Sequence, residues 1–107
     1  GIDIEAWNTY GEKLRNITIL NCIMKGNKGK SISIFANGPW LKEYEVYNNN
    51  ILVKDCTMND IFVTCSYGIE YKNCTIDSKM HQYVTDLKYT DCIIDGKRVS
   101  ETITERW

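Results

Sequence analysis

Helix formers are scarce in this chain. It has two alanines and five leucines among 107 residues, and a helical domain of that length would use far more of both. Histidine occurs once, at His81, and no C-x-x-C pair exists. Those two absences exclude the common zinc sites. An excess of charge of one sign is missing too: Lys plus Arg is 13, Asp plus Glu is 14, and the net charge is -1. Nucleic acid and anionic membrane surfaces demand a concentrated positive field, so no nucleic-acid partner is expected. No run approaches 18 apolar residues, so no membrane-inserting helix is expected either.

What is abundant is β-branched. The chain holds 14 Ile, 9 Thr and 5 Val, side chains that are stiff at χ1 and sit well on pleated surfaces. Ten Asn and seven Gly supply turns. With 43% hydrophobic and 25% charged residues, the composition is that of a folded domain. We therefore expect an all-β chain of many short strands, forming one domain over residues 1–107. Because the chain starts with Gly, that domain is expected to be a segment of a longer protein.

An internal repeat organises the strands. ITILNCIM (17–24), ILVKDCTM (51–58), IEYKNCTI (69–76) and LKYTDCII (87–94) align without gaps on Cys22, Cys56, Cys74 and Cys92. The spacings are 34, 18 and 18. Apolar residues recur at alternate positions: Ile17, Ile51, Ile69 and Leu87, then Ile19, Val53, Tyr71 and Tyr89. Such alternation marks strands with one buried face. It breaks at Asn21, Asp55, Asn73 and Asp91, directly before each cysteine. Asn and Asp tolerate left-handed conformations and bond their own backbone, so a tight bend is expected there. Third strands are expected at SISIFA (31–36), IFVTC (61–65), QYVT (82–85) and ETIT (101–104), with GIDIEA (1–6) as the third strand of a preceding unit. Units of this kind bury their apolar faces only by stacking.

On the N/D-C bend, the three-strand unit and the opening GIDIE, the chain resembles the right-handed parallel β-helices of the pectate-lyase-like superfamily. That resemblance implies a solenoid of about four coils of three short strands. It implies an Asn ladder at Asn21, Asp55, Asn73 and Asp91, and a substrate groove on the first sheet, formed by GIDIEA, SISIFA and IFVTC. It also implies an extracellular or virion-associated protein, as in a phage tailspike. Two departures stand out. No Asp-Asp pair of the kind β-helix polygalacturonases carry is present, and Arg15, Arg98 and Arg106 all lie off the expected first-sheet strands.

Five cysteines suit packing better than pairing. Stacked thiols about 4.8 Å apart run side by side rather than toward each other, and free Cys behaves as a small hydrophobe. In GIDIEA, Ile2 and Ile4 face inward, so Asp3 and Glu5 face outward, roughly 6.5–7 Å apart. Two carboxylates so placed could act as acid and base in glycoside hydrolysis; equally, they could be solvated strand residues. Ser31, Ser33, Asp60 and Thr64 are expected near the same face. The connections 7–16 and 37–50 are long and hold Trp7, Tyr10, Trp40, Tyr44 and Tyr47. Rigid aromatic faces can stack on sugar rings, or simply pack the loops onto the wall.

The expected function is accordingly a polysaccharide-binding domain, with polysaccharide degradation at Asp3 and Glu5 as a further capability. The alternative is a non-catalytic structural shaft or adhesion module, as in a phage tail fibre. No cofactor or dedicated metal site is expected, although outward acids leave calcium open. Polysaccharide is the expected partner, and a homotrimer or upstream coils would cover the N-terminal sheet edge.

Overall fold

Each row of the cysteine-centred repeat becomes a ladder across one parallel sheet. The computed structural model describes residues 1–7, 14–26, 29–37 and 48–105. These form β1 (Ile2–Trp7), β2 (Leu14–Leu20), β3 (Ile23–Met24), β4 (Ile32–Asn37), β5 (Asn48–Lys54), β6 (Thr57–Lys72), β7 (Thr75–Ile94) and β8 (Lys97–Glu105). All eight belong to one sheet, strongly curled into a half-barrel. Pairing is parallel throughout β1–β7.

The apolar rows pack inside the curl. Ile17 pairs with Ile51, Ile51 with Ile69 and Ile69 with Leu87, and Ile51, Ile69 and Leu87 are fully buried. The next row runs Ile19, Val53, Tyr71 and Tyr89. On the other wall Ile32 pairs with Ile2 and Ile61, and Ile34 with Ile4 and Val63. Removing such side chains from water contributes about 1.5–3 kcal/mol each.

Corners are made by single left-handed residues. Asn21, Asp55, Asn73 and Asp91 have φ of 55°, 57°, 51° and 49°, as the N/D-C step predicts. Each bend is tied to its neighbour: Asn21, Asp55 and Asn73 donate their backbone N–H to the carbonyls of Lys54, Lys72 and Thr90. Asn73 Nδ2 also donates to Asp55 Oδ1 at 2.8 Å. β6 and β7 are long because the chain rounds such corners without leaving the sheet: at Cys65 and Gly68 in β6, and at Tyr83, Asp86 and Asp91 in β7.

Two expected third strands are misplaced. QYVT (82–85) is not a strand of the first wall. Its Tyr83 is a left-handed corner (φ 55°), and the residues that pair with 60–64 are 78–82. ETIT (101–104) does not continue the parallel stack. Asp95 and Gly96 both take positive φ, 52° and 76°, which is the two-residue hairpin turn whose twist matches its strands. β8 therefore folds back antiparallel on β7, with Leu87 opposite Ile103 and Cys92 opposite Val99.

β8 also ties down the end of the first wall. Lys79 and His81 occupy the rows of Ile61 and Val63. Lys79 Nζ bonds Glu101 Oε1 at 2.7 Å and lies 4.7 Å from the centre of the Tyr89 ring. His81 lies in β7 with Nε2 3.0 Å from Glu105 Oε2.

Candidate functional site

β1 carries the candidate acids as its alternation requires: Ile4 is buried, Asp3 exposed and Glu5 half-buried. Their surroundings are not acidic. Asp3 pairs with Ser33, and that row continues through Phe62 and Met80. Glu5 pairs with Phe35. Asp60 accepts a hydrogen bond from Ser78 Oγ at 2.6 Å. Ser31, expected near the outer face, is fully buried. Its hydroxyl donates to Met24 O at 2.6 Å and accepts from Asn59 N at 2.9 Å, so it fastens a corner rather than facing solvent. Among the described residues no group of three His, Cys, Asp or Glu side chains could hold a metal ion.

The cysteines are free thiols, with Cys56, Cys65, Cys74 and Cys92 buried and Cys22 half-buried. Each ladder thiol caps backbone: Cys74 Sγ donates to Val53 O at 3.4 Å and Cys92 Sγ to Tyr71 O at 3.1 Å. Burial pushes the Cys56 thiol above its ordinary value. In the next pair, the thiol bond to Cys92 and then burial push Cys74 far up. Cys92 ionises first, brought down to about 7 by the Cys74 bond against the effect of burial. Enclosed thiols of this kind suit packing, not nucleophilic attack on a solvent-borne substrate.

A second ladder of left-handed residues is the more promising place. Asn16, Asn50, Gly68 and Asp86 have φ of 60°, 52°, 65° and 54°. They lie in one row, since their neighbours Ile17, Ile51, Ile69 and Leu87 pair in register. Asn50 Nδ2 donates to Asn16 Oδ1 at 2.6 Å. Gly68 has no side chain to continue the ladder. An open groove of about 450 Å³ lies there, lined by Asn49, Asn50, Tyr67, Gly68 and Asp86. Tyr67 is 49% exposed and pairs with Asn49 on one side and Thr85 on the other. Asp86 supplies the one carboxylate among these lining residues. Its backbone N–H donates to Thr104 Oγ1 at 3.2 Å, so β8 fixes this rung.

The candidate aromatic residues are, with one exception, not among those the structure describes. β5 begins at Asn48, directly after Tyr47. Tyr10, Trp40, Tyr44 and Tyr47 lie outside the described residues. Trp7 closes β1 with its backbone in register with Asn37, and its side chain lies outside what is described. The repeat alignment does contain the signal for the groove: an Asn, Asn, Gly, Asp column immediately before the first apolar position. Tyr67 and Asp86 escape a search for long loops because the corners they sit on are short.

Compared with known proteins, the chain matches no protein family, no curated relative and no solved structure.

Proposed function

We propose that the chain is a right-handed parallel β-helix of the pectate-lyase-like kind, and that it binds polysaccharide at the corner between its first and second walls. The observation that carries this reading is the groove at Gly68, where a half-exposed tyrosine stands beside two asparagines and one aspartate. A flat, rigid aromatic face offers contact area at small entropy cost. Amides and a carboxylate around it supply directed hydrogen bonds to hydroxyls. Regular strands with single left-handed corners, stepping by 18 residues between Asp55 and Asn73, support the β-helix reading.

Binding at this corner does not draw on Asp3 and Glu5, whose row leads to Ser33, Phe62 and Met80 rather than to further acids. The test is a glycan array probed with the wild-type chain and with Tyr67→Ala and Trp40→Ala. Binding lost in Tyr67→Ala supports the groove. A folded wild-type protein that binds no glycan refutes it and leaves the structural shaft.

A further inference from the structure

We propose that the missing rung at Gly68 is a subsite for a pair of sugar hydroxyls, and that the groove selects neutral hexose chains over uronates. This rests on the groove being the sugar site proposed above. Asn50 and Asp86 flank Gly68 in the same row, one strand away on either side. Strands are about 4.8 Å apart, so the two flanking rungs stand roughly 9–10 Å apart with no side chain between them. Asn50 spends an amide hydrogen on Asn16, and its Oδ1 has no protein partner among the described residues. The Asp86 carboxylate has no ion-pair partner among them either. Asn50 and Asp86 both line the groove on either side of Gly68, so their acceptor oxygens favour a ligand that brings donors. Two adjacent hydroxyls, each making a bond of about 2.7 Å, nearly span the opening while the ring lies against Tyr67. A uronate carboxylate would meet Asp86 as a like charge and be rejected.

Completing the ladder tests this directly. A Cβ built at Gly68 meets nothing closer than Asn50 N at 3.7 Å, and Asn already adopts this left-handed conformation at 16 and 50. Gly68→Asn is thus expected to fold, with unchanged circular dichroism and a Tm within a few degrees of wild type. Wild type, Tyr67→Ala, Gly68→Asn and Asp86→Asn are compared on an array of neutral hexose oligosaccharides and oligogalacturonides. Gly68→Asn should bind neutral chains at least about tenfold more weakly, as expected for losing a hydrogen bond to a charged group. Asp86→Asn should weaken neutral binding and gain oligogalacturonide signal. If Tyr67→Ala loses binding while Gly68→Asn binds like wild type, the subsite is overturned and the groove survives. If Gly68→Asn fails to fold, Asp86→Asn decides, and an unchanged neutral-to-uronate preference overturns the proposal. A wild-type protein that binds nothing on the array removes both.

Discussion

Tyr71 and Tyr89 stack in the interior, ring centroids 5.4 Å apart and planes within 15°, at the end of a row that begins with Ile19 and Val53. Both hydroxyls are buried without a hydrogen-bond partner. Burial pushes both phenols up, and the next cause in each case is a neighbouring ionisable group, Tyr89 for Tyr71 and Cys92 for Tyr89. The pair supplies aromatic area and carries an unrewarded polar atom on each ring.

Removing those atoms should therefore help. Tyr89→Phe and Tyr71→Phe are each expected to be neutral or to stabilise by about 1 kcal/mol, because an unpaired buried hydroxyl costs about 1–3 kcal/mol. Tyr89→Ala, which opens a cavity, should cost about 3–5 kcal/mol. Urea unfolding of the three variants measures both signs.

The inward row at Ile69 tolerates no charge. Ile69→Asp should abolish folding, since an unpaired carboxylate would sit between Ile51 and Leu87. Lys72→Gln, on an exposed position of the same strand, should stay within about 0.5 kcal/mol of wild type. Soluble yield and far-ultraviolet circular dichroism distinguish the two, and a folded Ile69→Asp protein would disprove the register.

Alkaline pH should destabilise the fold from about pH 9 upward. Cys56 and Cys74 are held above their ordinary value of 9.0, so above it the unfolded chain has lost protons that the folded chain keeps. Stability then falls as pH rises, on the order of 1 kcal/mol per pH unit for each such group. Cys92, lowered to about 7, contributes the opposite way only between 7 and 9, and Tyr71 and Tyr89 extend the loss above 10. Urea midpoints at pH 8.5 and 10.5 give the slope.

The Lys79–Glu101 pair should hold β8 down. Lys79 is the better buried partner, with 22% side-chain exposure against 43%, and its position over Tyr89 adds a cation–π contact. A double-mutant cycle with Lys79→Ala and Glu101→Ala should show coupling of up to about 1 kcal/mol. That coupling should shrink in 1 M salt, and amide exchange across 97–105 should quicken in either single variant.

Much of the wall was legible because alternation and the N/D-C step are local. Ile17, Ile51, Ile69 and Leu87 declare their inward row, and Asn21, Asp55, Asn73 and Asp91 declare the bend. The direction of the last unit is not legible in ETIT, because its β-branched residues mark a strand without saying which way it runs. The direction is set by Asp95-Gly96, a two-residue hairpin signal visible in the chain. The corner in QYVT is hidden for a related reason: Tyr83 is a poor candidate for a left-handed residue, and it takes that conformation beside the left-handed Cys65 against which it packs. The strand that carries Asp3 and Glu5 is legible from its alternation, whereas the groove depends on a column in which one residue, Gly68, matters for lacking a side chain.

The two different steps of the repeat have an evolutionary consequence. Asn16 and Asn50 are rungs of one ladder although 34 residues separate them, while Asp55 and Asn73 are separated by 18. The additional chain leaves the ladder and returns to it without changing the register of the inward rows. Doubling the length of such an excursion costs only about 0.6 kcal/mol in closure entropy. The chain between rungs can therefore change in length, one connection at a time, while the wall beneath keeps its register.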